Sequence, residues 1–254
     1  MTFDLEEFDL PHEFGCPISE EDQIIITNNG MEKLTGLLSK YDLQATFFTT
    51  AFYAERNKNL LKSLSETHEI ASHSNLHSVF KETDPYYSKI ILEKIIGKQI
   101  YGFRMPRFRK VDLKIIKAAG YNFDSSVNPT FIPGRYNNLL TNRKFYLDNS
   151  SNLTEFPVSV SPLIRFPLFW LSFKNVPFPV YLHFCKMTIM NDSYLHLYFH
   201  PWEFADLESF NIPRYIKNPS GKIFSERFEK LVAELRKIAN FSTISSFLAS
   251  SGSL

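Results

Sequence analysis

Short runs rich in Phe, Thr and Ile alternate with amphipathic stretches from the first residue to about residue 126, and this alternation constrains the fold more than any other feature. The sequence predicts a strand over 1–5, a loop marked by Pro11, Gly15 and Pro17, and a helix capped by Asn28 or Asn29. That helix carries Met31, Leu34, Leu37, Leu38 and Tyr41 at steps of three and four. A strand over 44–50 follows, then a helix over 59–67 with Leu60, Leu61 and Leu64 inward, and a short strand over 69–71. The unit repeats as helix 86–99, strand 101–104, helix 111–119 closed by Gly120, and strand 122–126. Such alternation implies parallel strands joined by right-handed crossovers, in an open sheet or a closed barrel. The second half is less regular, with strand candidates over 153–160 and 193–199 and an amphipathic helix over 225–240 that buries Phe228, Leu231, Val232, Leu235 and Ile238. No repeat or linker interrupts the chain, and 254 residues suit a single α/β domain spanning 1–254.

Composition narrows the partners. Lys and Arg total 28 against 27 Asp and Glu, so no global field draws the chain to nucleic acid or an anionic membrane, and binding must come from local geometry. Cys16 and Cys185 are too few for a disulfide framework and have no zinc-motif spacing. The opening Met-Thr-Phe-Asp-Leu-Glu-Glu lacks the basic start and apolar core of a signal peptide, which points to a cytoplasmic protein. The apolar region over 157–185 is broken by Arg165, Lys174 and five prolines and is not a membrane span. Its Phe166, Phe169, Trp170, Phe173 and Phe178 suit a loop packed over the core, or an interfacial patch.

In an architecture of parallel strands and crossovers, chemistry gathers at the C-terminal ends of the strands. Asp4 and Glu6 lie two apart in an extended segment and so point the same way, one free to act as a base and the other to bind metal. His73 and His77 follow the third strand; on a helical turn a four-residue step brings both imidazoles to one ion, although a polar helix N-terminus capped by Ser72 or Ser74 gives the same pattern. Arg104 ends the fourth strand just before Pro106 and suits a carboxylate gripped by two parallel hydrogen bonds, or a surface ion pair. Asp124 lies late in the fifth strand. His200 opens His-Pro-Trp-Glu, where it suits a general acid or a cap, with Trp202 as an apolar wall and Glu203 without a role.

Taken in order, Thr2-Phe3-Asp4, His73-Ser74-x-x-His77, Arg104-x-Pro106, Asp124-Ser125-Ser126 and Tyr198-Phe199-His200-Pro201-Trp202-Glu203 resemble the polysaccharide deacetylase family with the NodB homology domain. The likeness is closest to its branch with an Asp-x-Glu opening and a His-Pro-Trp-Glu ending. The resemblance implies a distorted (β/α) barrel of about seven parallel strands and metal-dependent removal of an N-acetyl group from a sugar or glycan precursor. It gives Asp4 the role of base, oriented by Arg104, and His200 that of general acid, with Asp124 behind it. Glu6, His73 and His77 become the ligands of a divalent ion, Zn²⁺ by preference, with Glu7 and Asp9 as alternatives to Glu6. Trp202 and Pro106 fall on the substrate side. Two rival readings accompany it: a metal-free hydrolase of cyclic amides on the same barrel, and a sugar-binding protein without catalysis.

Overall fold

The computed structural model describes residues 1–252 and is built on one sheet of eight strands. In chain order the strands are β1 (Thr2–Leu5), β2 (Thr46–Thr49), β3 (Glu69–Ser72), β4 (Gly102–Phe103), β5 (Phe123–Asp124), β6 (Phe131–Ile132), β7 (Tyr136–Asn137), β8 (Tyr146–Asp148), β9 (Leu153–Glu155) and β10 (Tyr198–Phe199). The order across the sheet is β10-β1-β2-β3-β4-β5-β9-β8, and β6 and β7 form a separate hairpin. From β10 to β9 every pairing is parallel, which gives the expected seven parallel strands; β8 adds an antiparallel edge. No strand ladder joins β9 to β10. The seam is closed instead by Ser159, whose N–H donates to His196 O at 2.8 Å and whose Oγ accepts from His196 N–H at 2.8 Å.

The period of two sorts each strand's side chains between two cores. Phe3 and Phe47 point outward, stacked at 5.2 Å, and Phe3 packs on Phe199 and Phe228 beneath the helical layer. Phe48, Ala71, Phe123 and Phe156 point inward and are plugged by Ile244 and Leu248 of the C-terminal helix. Burying each such Phe contributes on the order of 1.5–3 kcal/mol. Gly102 admits the Phe123 ring into this interior, because a Cβ there would stand 2.1 Å from it.

The helices are α1 (Glu20–Lys40), α2 (Ala51–Arg56), α3 (Lys58–Leu64), α4 (Asp84–Ile96), α5 (Leu113–Ala118), α6 (Trp170–Asn175), α7 (Phe178–Asp192), α8 (Arg214–Lys217), α9 (Gly221–Leu235) and α10 (Ile244–Ser250). α1 begins well before Asn28. Ser19 is the true cap, accepting from Asp22 N–H, with Glu20, Glu21 and Asp22 complementing the helix dipole. α9 stops at Leu235, so Ile238 lies beyond it and is 47% exposed. In the aromatic region over 157–185, Phe166 and Phe169 lie in a loop as expected, whereas Trp170, Phe173 and Phe178 lie in α6 and α7, and Phe173 is fully buried. No helix among the described residues is long and apolar enough to cross a membrane.

Candidate active site

Strand β1 runs straight into the site. Asp4 shares the inward face with Thr2, and Glu6, just past the strand, continues that row. Both carboxylates are buried. Arg104 leaves β4 on the same side and is also buried, with its guanidinium 3.9 Å from the Phe48 ring centre. Its Nη1 donates to Asp4 Oδ1 at 2.5 Å and to Thr2 Oγ1 at 3.1 Å. Nη2 donates to Ser125 Oγ and His196 Nε2, both at 2.9 Å, and Nε donates to Ser125 O at 3.1 Å. The grip on Asp4 is therefore a single bond rather than the parallel pair expected from the sequence. Neutral acceptors hold the rest of the fork, which is what a buried ion pair needs if it is not to be a net cost. His196 can serve as one because burial and the adjacent guanidinium both push its pKa well below the ordinary range.

His73 and His77 do not lie on a helical turn. Residues 73–81 form an irregular loop in which Ser74 has a φ of 67°, and the loop is tied down by Ala51 N–H and Phe52 N–H bonding to the carbonyls of Ser74 and Asn75. Glu7 folds the segment back: its Oε1 accepts from His77 N–H at 2.7 Å and its Oε2 from Thr50 Oγ1 at 2.8 Å. The two imidazoles still converge, with Glu6 Oε2 lying 3.2 Å from His73 Nε2 and 3.2 Å from His77 Nε2. Three such donor atoms, one from each residue, lie within 4.8 Å of one another. His73 Nδ1 donates to Arg104 O at 2.8 Å and His77 Nδ1 to Asp9 Oδ1 at 2.7 Å, which turns both Nε2 atoms toward the carboxylate.

These residues fit a divalent ion. Glu6 Oε2 and His73 Nε2 are buried without a hydrogen-bond partner, and lone pairs facing a carboxylate oxygen repel it unless positive charge lies between them. Donors sharing a tetrahedral zinc stand roughly 3.3 Å apart, close to what is seen. Burial alone would raise the Glu6 pKa, but His77, His200 and His73 outweigh it and hold it at about 2. Burial would lower His77, but Glu6 and Asp9 lift it to about 9. Asp9 bonds to both His77 and Arg107, the latter at 2.9 Å, and is not among the three converging donors.

His200 stands opposite Asp4, its Nε2 3.9 Å from Asp4 Oδ2 and 3.8 Å from Glu6 Oε1. Its ring stacks on Trp202 at 4.6 Å. Burial would lower its pKa, but Glu6 and Glu203 raise it. The carboxylate behind His200 is Glu203, not Asp124. Glu203 Oε1 accepts from His200 Nδ1 at 3.0 Å, and Lys174 Nζ lies 3.6 Å from its other oxygen. Asp124 is one residue past the inward-facing Phe123, so it turns away from the interior beside its register partner Glu155. It accepts from Ser126 N–H and Oγ, and burial raises the pKa values of both carboxyl groups of this pair.

Asp4, Glu6, His77 and His200 open into a cavity of about 270 Å³ walled by Phe108, Tyr136, Trp170 and Tyr198. Trp202 lines it as expected and donates from Nε1 to Glu6 Oε1 at 3.3 Å. Pro106 does not line it. Pro106 opens a turn in which Arg107 and Phe108 have φ of 59° and 51°, so those two residues, rather than the proline, reach the cavity.

The family model for polysaccharide deacetylases matches residues 21–123. Over that segment the chain is similar to polysaccharide deacetylases. The matched segment includes His73, His77 and Arg104, while Asp4, Glu6 and His200 lie outside it and rest on motif and geometry. A putative polysaccharide deacetylase from Mycobacterium smegmatis superimposes with a TM-score of 0.64 at 18% identity, over 99% of this chain and 88% of that one. A probable polysaccharide deacetylase from Pseudomonas aeruginosa PAO1 gives 0.60 at 14% identity, over 96% and 87%. The Puue allantoinase gives 0.61 at 12% identity, over 100% and 90%. At these identities the structures establish a shared deacetylase-type barrel and nothing finer. No curated protein matches the sequence.

Proposed function

We propose that this chain is a polysaccharide deacetylase, an active, metal-dependent hydrolase that removes the N-acetyl group from an acetylated sugar or glycan precursor in the cytoplasm. The observation that carries this reading is the placement of Glu6 Oε2 3.2 Å from two imidazole Nε2 atoms, with Asp4 and His200 flanking the triad. Glu6, His73 and His77 would hold the ion, Zn²⁺ by the chemistry of the donors. When bound it supplies Lewis-acid polarisation of the amide carbonyl and a more acidic water.

The chain's own groups do the rest. Asp4, oriented by Arg104, takes a proton from the attacking water. Oxygen adds to the acetyl carbon, the C–N bond breaks, and His200 gives its Nε2 proton to the leaving nitrogen. The products are acetate and a free amino sugar. Glu203 holds the Nδ1–H of His200, so that Nε2 is the nitrogen turned to the cavity. The aromatic walls supply faces on which sugar rings stack and exclude bulk water. A metal-free hydrolase of cyclic amides would leave the inward-facing Nε2 atoms and Glu6 Oε2 without purpose.

Elemental analysis after zinc reconstitution tests the reading, together with acetate release from N-acetylglucosamine oligomers. About one ion per chain is expected in wild type and in Asp4→Asn and none in His77→Ala, with turnover in Asp4→Asn lower by about 10²–10⁴. A wild-type protein that binds no ion would overturn the metal-dependent mechanism. Binding of the oligomers with an ion present but no acetate released would favour the sugar-binding reading.

A further inference from the structure

Two loops carry apolar tips that stand largely clear of the fold. Leu140 is 101% exposed, Leu163 is 95% exposed, and Ile164 beside it is 67% exposed. Leu140 lies between β7 and β8, and the other two lie between Val160 and Pro167, which pair as an antiparallel bridge. The two loops follow neighbouring parallel strands, β5 and β9.

The tips are braced. Arg165 Nη1 donates to Pro129 O at 3.1 Å and to Thr141 O at 2.9 Å, and Thr130 Oγ1 donates to Arg165 O at 2.8 Å. These bonds tie the residue after Ile164 to the residue after Leu140. Leu163 and Arg165 have φ of 65° and 52°, left-handed backbone that residues other than glycine adopt at a conformational cost. Singly exposed leucines need no explanation, but two cross-braced loops presenting three apolar side chains do.

Charge selects the occupant. Residues 125–147 and 156–191 contain no Asp or Glu; Lys174 is buried against Glu203 and Lys186 pairs with Glu234, which leaves Arg135, Arg143, Lys144 and Arg165 as the cations near the tips. Glu13 and Asp192 reach in from outside to pair with Arg135, Arg143 and Lys144, and the side chains of Arg135 and Lys144 remain 46% and 52% exposed. Two carboxylates, Glu13 and Asp192, are thus set against Arg135, Arg143, Lys144 and Arg165, which leaves a local excess of positive charge. We infer that Leu140, Leu163 and Ile164 insert into an anionic lipid surface, with the flanking cations over its headgroups. Side chains standing clear of the fold suit insertion between lipids, whereas a protein interface buries its apolar centre within a packed patch.

Docking does not depend on the proposed reaction. Only its corollary, that the acetylated substrate is met at a membrane surface, rests on that reading. The test is co-sedimentation of the full chain with phosphatidylcholine vesicles with and without phosphatidylglycerol. Wild type is expected to sediment with the anionic vesicles, and the combined Leu140→Asp, Leu163→Asp and Ile164→Asp variant to bind at least about tenfold more weakly. Ile223→Asp, at an exposed position on α9, is expected to bind as wild type does. Failure of wild type to sediment, equal binding by the triple variant, or equal loss in Ile223→Asp would each overturn the inference, whatever the outcome of the deacetylase assay.

Discussion

Glu203 Oε1 accepts both the backbone N–H of His200, at 2.8 Å, and its Nδ1–H, at 3.0 Å, from three residues further along the same turn. One carboxylate thus shapes the His-Pro-Trp-Glu turn and fixes which ring nitrogen faces the cavity. The contact is local and depends on no distant element except Lys174.

Replacing Glu203 with Gln keeps an oxygen that can accept but removes the charge that favours a protonated His200. Turnover is expected to fall by at least about tenfold, within the roughly 10²–10⁴ that a general acid contributes. Zinc content should stay at the wild-type level, and elemental analysis beside acetate release separates this result from a collapsed site.

On the proposed metal-dependent reading, Asp9 acts on the ion through His77. Asp9→Asn should weaken zinc binding by about 10–100-fold, because the imidazole loses the carboxylate that orients it and makes it a better donor. Competition with a chelator measures this directly, and unchanged affinity would reduce Asp9 to a partner of Arg107.

Helix α1 reaches the catalytic turn at Gly30, where a Cβ would stand 1.9 Å from Pro201 O. Backbone cannot move aside as a side-chain tip does, so Gly30→Ala is expected to cost about 1–3 kcal/mol in urea unfolding. Activity should fall more than stability, since the strain is delivered one residue from His200.

Lys174 provides a pH signature. Burial lowers its pKa to about 8 from 10.5, although Glu203 opposes the shift. Between those values the unfolded chain holds a proton that the folded chain has released, so stability rises with pH from about 8 to about 10.5. The full cost of burying the cation, at most about 3 kcal/mol, is carried below about 8. Urea unfolding of wild type and Lys174→Met across this window should show the rise in wild type only.

Much of this site was legible because its chemistry is local in sequence. The step of two between Asp4 and Glu6 puts both on one side of an extended chain wherever the strand lies, and each proposed group falls at the end of a recognisable apolar run. The His73–His77 pairing was anticipated for the wrong reason: a loop pinned by Glu7, not a helical turn, brings them together. Glu203 carried a signal, the three-residue spacing of a capping box, that its lack of an assigned role passed over.

The sequence alone determined the α/β alternation, the order of the motifs and the side of the strands on which Asp4, Glu6, Arg104 and His200 gather, since these follow from periods of two and 3.6 within short segments. Tertiary structure decided what only register and long-range packing can fix. The parity of β5 turned Asp124 outward to Glu155, and the turn after Pro106 sent Arg107 rather than the proline to the cavity. The fold of α6 placed Lys174 behind Glu203, while the crossing of two late loops left Leu140 and Leu163 facing outward. Those contacts join residues far apart in the chain, and no local pattern encodes the distance between them.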